Sequence, residues 1–264
     1  MAVAIHGAVG ADASGIPAIR HIGLAELRQA LSEGVDDFLA TPTQLVFLAL
    51  LYPIIGMIAA RIAWGGNMYY LIYPLVVGIA LMGPVAAIGL YEISRRRELG
   101  YTTSWLDAVR VFRSPAILSV TVLGLVLLGI FLLWILAAHV IYVWSFTGAT
   151  HASLGALLRD LVDTPDGWRM MLLGNAIGAL FAVLVLSLTV VSFPMILDRE
   201  VGPVVAVCTS LRAVATNPLP MAAWGLMVAG CLVLGCLPIF VGLAVVMPIL
   251  GHATWHLYRK VVAW

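Results

Sequence analysis

Six apolar stretches, each long enough to cross a lipid bilayer, constrain this chain more than anything else in it. They run over about 43–62, 70–92, 116–144, 172–197, 219–237 and 238–258. A helix needs roughly 20 apolar residues to span the hydrocarbon layer. The last two stretches form one apolar run split at Pro238. A single helix of that length would overshoot the membrane, so a tight hairpin is expected there. Of the 264 residues, 62% are hydrophobic and 10% are charged, against about 25% charged in a soluble domain. Too little polar surface is left for solution. A membrane barrel would show short alternating segments instead of long runs. The predicted fold is therefore all-α: a polytopic membrane helical bundle with six transmembrane helices arranged as three hairpins. The net charge of +1 gives no electrostatic footprint for nucleic acid.

The basic residues set the direction. If both termini share one side, that side holds eleven Lys and Arg residues, among them Arg20, Arg28, Arg95, Arg96, Arg97, Arg259 and Lys260. The other side holds three: Arg61, Arg159 and Arg169. By the positive-inside rule both termini are cytoplasmic. Residues 1–20 carry no basic residue before Arg20 and no strongly apolar core. They read as a mobile cytoplasmic tail rather than a secretory signal. Residues 21–264 read as a single membrane domain.

Three cytoplasmic segments resemble one another. LAELRQALSEGVDDFLATP ends at Pro42, TTSWLDAVRVFRSP at Pro115 and PVVAVCTSLRAVATNP at Pro218. In each, apolar residues fall on one helical face: Leu24, Leu27, Leu31, Val35 and Phe38 in the first; Trp105, Val109 and Phe112 in the second; Val204, Cys208, Leu211 and Val214 in the third. Such helices lie in the membrane interface. Each stops at a proline, which cannot extend a helix. The second span of each pair carries a proline near its cytoplasmic end: Pro84, Pro194 and Pro248. Three repeat units follow, about 21–97, 98–199 and 200–260, each an interfacial helix plus a hairpin. The prolines predict helix kinks, either bending toward the interfacial neighbour or ringing a transport site.

The spans are nearly free of ionisable groups, which insertion scales price at about 2.5–3.5 kcal/mol each. Only His139 and Asn175 intrude, both in the outer half. That dryness argues against proton coupling and against acid–base chemistry within the membrane. Small residues recur at helix-packing spacing: Gly56 with Ala60, Gly174 with Gly178, and Gly225 with Ala229. Such pairs let two backbones approach closely, either inside the bundle or against a partner subunit.

Three further features carry chemistry. His252 and His256 lie one turn apart, a spacing that can chelate a metal if a third ligand folds beside them. Without a metal, His252 hydrogen-bonds within the bundle and His256 is an interfacial residue beside Tyr258, Arg259 and Lys260. Arg95, Arg96 and Arg97 form the densest charge and could dock anionic lipid headgroups. The loop between spans three and four carries His151, Asp160, Asp163 and Asp166. No cofactor motif is present.

The runs IRHIGLAELRQALSEGVDDF, GIALMGPVAAIGLYEISRRRELG, PMILDREVGPVVAVCTSLRAVATNP and LAVVMPILGHATWHLYRK resemble a bacterial family of six-helix inner-membrane proteins catalogued as a domain of unknown function. The likeness covers about residues 18–262, with GLYEISRR and GHATWH its most specific motifs. It implies an inner-membrane location and no mechanism. Some members carry the label of cytochrome c oxidase subunit. A haem–copper core needs about six histidines on opposed helices, more than this chain offers, so the label would imply an accessory part. Three functions are thus expected from the sequence. The first is a non-catalytic accessory or assembly component of a membrane complex, with a respiratory oxidase one candidate, in contact with lipids and other subunits. The second is a carrier or channel for a small neutral or lipid-like molecule. The third is a metalloprotein using His252 and His256.

Overall fold

The computed structural model describes residues 17–41, 43, 54, 57, 69–146, 151, 153–238 and 240–263. In chain order the elements are β1 (Ala18–Ile19), α1 (Leu24–Ala40), a 3-10 turn (Tyr69–Leu71), α2 (Ile72–Leu81), α3 (Gly83–Ala86), α4 (Ile88–Glu98), a 3-10 helix (Trp105–Arg113), α5 (Ile117–Ser145), α6 (Leu154–Asp163), α7 (Pro165–Thr189), α8 (Ser192–Arg199), α9 (Pro203–Thr216), α10 (Pro218–Cys236), α11 (Leu243–Val261) and β2 (Val262–Ala263). Among the described residues, three helical stretches are long and apolar enough to cross a membrane: Ile117–Ser145, Pro165–Arg199 and Pro218–Cys236. The 29 residues of α5 extend about 43 Å at 1.5 Å per residue, more than the hydrocarbon layer requires. The protein is an all-α membrane protein. The first predicted span, with Pro42, Gly56 and Ala60, falls outside the described residues apart from Ile54 and Met57.

Proline shapes the second predicted span. It is divided into α2, α3 and α4, with breaks at Met82 and Ala87 on either side of Pro84. Proline has no N–H to give the carbonyl four residues back, and its ring crowds that carbonyl. The same reasoning fits Pro194, whose missing bond would go to Val190. The helix breaks at Val190 and Val191, and the freed Val191 N–H is taken up by the Ser210 hydroxyl at 3.3 Å. Pro248 lies inside α11, which runs through it without interruption.

The described chain divides into two compact units. One contains residues 1–43, 84–122 and 187–264, the other 44–83 and 123–186. In the first, α1 packs along α11, with α4, α8 and α10 around them. Its core is aromatic and aliphatic: Tyr91, Phe193, Trp224, Trp255 and Tyr258 are almost wholly buried with Leu27 and Ile93. The approach of α1 to α11 depends on Gly34, where a Cβ would lie 2.6 Å from the Ala253 backbone nitrogen. The chain ends of this unit meet as well. Ala18 pairs with Ala263 and Ile19 with Val262 in an antiparallel two-stranded sheet, so the last residues of the predicted tail are paired.

The interfacial segments pack on faces that only partly follow the apolar periodicity. In α1 the buried residues are Leu27, Ala30, Gly34, Asp37 and Phe38, while Leu24 is exposed. In the 3-10 helix, Trp105, Val109 and Phe112 are exposed, and Asp107 and Val111 are buried. In α9, Ala206, Thr209, Ser210 and Ala213 are buried, and Val204 and Leu211 are exposed. Small and polar residues thus share the packed faces with Leu27, Phe38 and Val111, while Leu24, Trp105, Val109, Phe112, Val204 and Leu211 face outward. That arrangement suits helices whose outer side meets lipid.

In the second unit, α2, α5 and α7 close around Trp134. Its indole N–H donates to the Pro74 carbonyl at 2.7 Å, Gly78 faces the Phe131 ring, and the Cβ position of Gly178 lies 3.1 Å from the Trp134 ring.

Candidate functional site

The first unit carries a cleft of about 460 Å³ lined by Arg20, Glu33, Asp37, Arg97, Glu98, His256, Arg259 and Lys260. Helix periodicity builds it. Glu33 and Asp37 are one turn apart on α1, and His252, His256, Arg259 and Lys260 project from the last turns of α11. Arg97 and Glu98 end α4. Arg20 follows β1, where the strand pair holds it against the end of α11.

Asp37, only 5% exposed, is the hub. Its Oδ1 pairs with Arg97 Nε at 2.9 Å. Its Oδ2 accepts from the Ser94 hydroxyl at 2.5 Å and lies 2.9 Å from His256 Nε2. Ser94 Oγ also lies 2.8 Å from His252 Nδ1. A hydroxyl has one proton to give, and Asp37 takes it. His252 Nδ1–H therefore donates to Ser94, and its Nε2 keeps the lone pair. Among the described residues that buried Nε2 has no hydrogen-bond partner. Burial pushes the Asp37 carboxyl up, but hydrogen bonds from His256 and Ser94 and the two nearby imidazoles hold it below its ordinary value.

A second set of pairs extends the site. Lys260 Nζ reaches Glu33 at 2.9 Å, and His256 Nδ1 lies 3.4 Å from the same carboxylate. Glu98 accepts from the Trp255 indole at 3.1 Å and from Arg259 Nε at 2.9 Å. Asp198 accepts from the Tyr258 hydroxyl at 2.7 Å and from Arg259 at 3.3 Å. Desolvation lowers the Arg259 guanidinium, but Glu98 and Asp198 raise it above its usual value overall. The arrangement joins α1, α4, α8 and α11 by charge-assisted bonds.

Each candidate from the sequence has a place. His252 and His256 are brought beside Asp37, but Arg97, Ser94 and His256 already occupy its oxygens. Among the described residues, no group of three or more His, Cys, Asp or Glu side chains is placed to hold a metal ion. Arg95 pairs with Glu92 at 2.8 Å, Arg96 lies 3.7 Å from Asp107, and Arg97 serves Asp37. The headgroup candidates thus have carboxylate partners within the chain. Gly178 packs on Trp134, whereas a Cβ on Gly174 would meet open space. Gly225 is half-buried and Ala229 exposed on α10. Cys208, Cys231 and Cys236 are free and half-buried.

In the second unit the two intruding polar residues each have a tyrosine. The Tyr70 hydroxyl lies 2.8 Å from His139 Nδ1, and the Tyr73 hydroxyl donates to Asn175 Oδ1 at 2.8 Å. Tyr70 also stacks on Tyr142, with ring centroids 3.9 Å apart. Tyr142 bonds His151 at 2.8 Å, and His151 reaches Asp160 at 3.1 Å. These contacts fasten the loop helix α6 to α5.

Sequence reasoning did not anticipate Asp37, Ser94, Glu33, Glu98 and Asp198 as one site with the histidines. The available signal was an aspartate at the small-residue face of α1. With the geometry in place, comparison with known proteins adds a family. No curated protein and no solved structure matches the chain. A family model described as "Predicted integral membrane protein (DUF2189)" matches residues 72–198, a narrower stretch than the likeness expected over 18–262. The match takes in GLYEISRR with Ser94, Arg97, Glu98 and Asp198, while α1 and α11 lie outside it. Over those residues the chain matches the family of unknown function that its sequence resembles, and it is an integral membrane protein that contacts lipid.

Proposed function

We propose that the chain is a six-span protein of the bacterial inner membrane, built as three hairpins with both termini cytoplasmic. It serves as a non-catalytic accessory or assembly component of another membrane complex. One observation supports the topology. All eleven basic residues assigned to the cytoplasmic side belong to the first compact unit, and Arg159 and Arg169, assigned to the other side, both belong to the second. The contact pattern and the charge pattern divide the chain in the same way. A reporter that is active only in the cytoplasm, fused after Trp264, should give full activity. Activity only from a periplasmic reporter would overturn the orientation.

The accessory reading is supported by the outer helix faces. Only 17% of the apolar window of α10 is buried, and small residues on these helices, Gly174 and Gly230, have open space at the Cβ position. A partner helix can approach such positions closely. Gly174→Leu should leave the thermal unfolding of the purified protein unchanged, whereas Gly178→Leu must displace Trp134 and should cost about 1–3 kcal/mol. Mild-detergent purification from native membranes, with mass spectrometry, should recover stoichiometric membrane subunits that Gly174→Leu depletes. A protein that runs alone in both forms would remove the accessory reading. The carrier alternative calls for a polar passage at Asn175 or the kink prolines. The charged cleft is lined by neither, and the Asn175 amide is bonded to Tyr73 and to the Met171 carbonyl.

A further inference from the structure

Three cations of the cleft have carboxylate partners: Arg97 with Asp37, Lys260 with Glu33, and Arg259 with Glu98. Arg20 has none. Among the described residues its guanidinium donates only to the Arg259 carbonyl, at 3.4 Å. Its backbone, in contrast, is fixed on both sides. The Arg20 N–H donates to the Val261 carbonyl at 2.8 Å, and the Arg20 carbonyl accepts from Asn217 Nδ2 at 3.0 Å. Asn217 is buried, and its own Oδ1 takes the Ile22 N–H at 2.9 Å. A buried amide and a strand pair thus hold an exposed guanidinium, without a carboxylate partner among the described residues, on the wall of a cleft.

The charges of the lining select the ligand class. Arg20, Arg97, Arg259 and Lys260 face Glu33, Asp37 and Glu98, which leaves the charge of Arg20 without a carboxylate of its own among the described residues. A singly charged anion balances it, and a dianion would meet the three carboxylates. The guanidinium fork offers parallel N–H donors that match two oxygens of a phosphate. A phosphodiester has one charge and two free oxygens. We propose that this cleft binds a singly charged phosphate ester, gripped by Arg20 with Arg259 and Lys260 beside it. Two sources present that group, a glycerophospholipid headgroup and a soluble phosphodiester. Only the lipid source rests on the proposed topology, which puts the cleft where α11 leaves its apolar run, in the unit whose interfacial segments expose Trp105, Phe112 and Val204.

The test uses the full chain in phosphate-free maltoside detergent and in nanodiscs. Glycerophosphoglycerol is titrated into the detergent sample, with binding read by calorimetry and thermal unfolding. In parallel, nanodiscs of phosphatidylcholine with and without phosphatidylglycerol are compared by thermal unfolding. Arg20→Gln, at an exposed site, should weaken binding by at least about tenfold, the loss expected of one charge-assisted contact. Arg20→Lys should recover part of it. Arg169→Gln, in the other unit, should change nothing. Arg20-dependent binding in detergent identifies a soluble ester. Arg20-dependent stabilisation only with phosphatidylglycerol identifies a headgroup. No binding in either sample, or binding that Arg20→Gln leaves unaltered, overturns the proposal. The detergent titration is indifferent to sidedness, so a reversed topology would show in the reporter fusion and leave that titration standing.

Discussion

Replacing Asp37 with alanine is expected to destabilise the protein by about 3–5 kcal/mol, the cost of removing one partner from a buried ion pair. The carboxylate joins three elements at once, through Arg97 and Ser94 of α4 and His256 of α11. Its loss leaves the half-buried Arg97 guanidinium without its carboxylate and the Ser94 hydroxyl without its acceptor. Unfolding of the detergent-purified variant, followed by circular dichroism, measures the effect. The pH dependence has a defined sign. The folded-state value of Asp37 lies below its ordinary value of about 3.8, so the folded state favours the ionised form. The stability it contributes is complete above that ordinary value and is lost as pH falls through the folded value. Asp37→Asn should flatten this acid limb of the stability profile while leaving the neutral-pH spectrum of the folded protein unchanged.

Gly34→Ala is expected to cost about 1–3 kcal/mol or more through overpacking, even though alanine favours a helix by about 1 kcal/mol over glycine. The new methyl would lie 2.6 Å from the Ala253 nitrogen and 2.8 Å from its Cα. Backbone cannot move aside as a flexible side chain can, so α1 must lift from α11. That motion would also open the bonds from Asp37 and Glu33 to His256 and Lys260. Gly230→Ala is the matched control, because its Cβ position is open. It should be neutral or slightly stabilising in the same assay.

Apolar length made α5, α7 and α10 legible in the sequence, because a bilayer demands continuous runs. The same proline signal stood at Pro84, Pro194 and Pro248, and the helix is interrupted near the first two but continuous through the third. The packed face of α1 was only partly legible. Periodicity pointed to Leu24, Leu27, Leu31, Val35 and Phe38; Leu27 and Phe38 are buried, but they are joined by Ala30, Gly34 and Asp37 rather than by Leu24. In water the large apolar face is the buried one. At a membrane interface lipid can take that face, and close helix contact goes to small residues. The polar cluster was hidden for another reason. His252 and His256 read as a local pair, yet Ser94 and Asp37 reach them from 158 and 219 residues away. No spacing rule connects those positions.

The central claim is that the two ends of the described chain are clasped together, with the Asp37 cluster and the charged cleft beside α1 and α11. A cysteine pair tests it most directly. With Cys208, Cys231 and Cys236 replaced by serine, Ala18→Cys and Ala263→Cys are introduced together at positions that are strand partners. Isolated native membranes are then treated with a mild oxidant, and gel mobility is compared with and without reductant. The account predicts near-complete intramolecular crosslinking, and partial loss of it when Gly34→Leu is added. Free thiols after oxidation, with the protein folded and in the membrane, would contradict it.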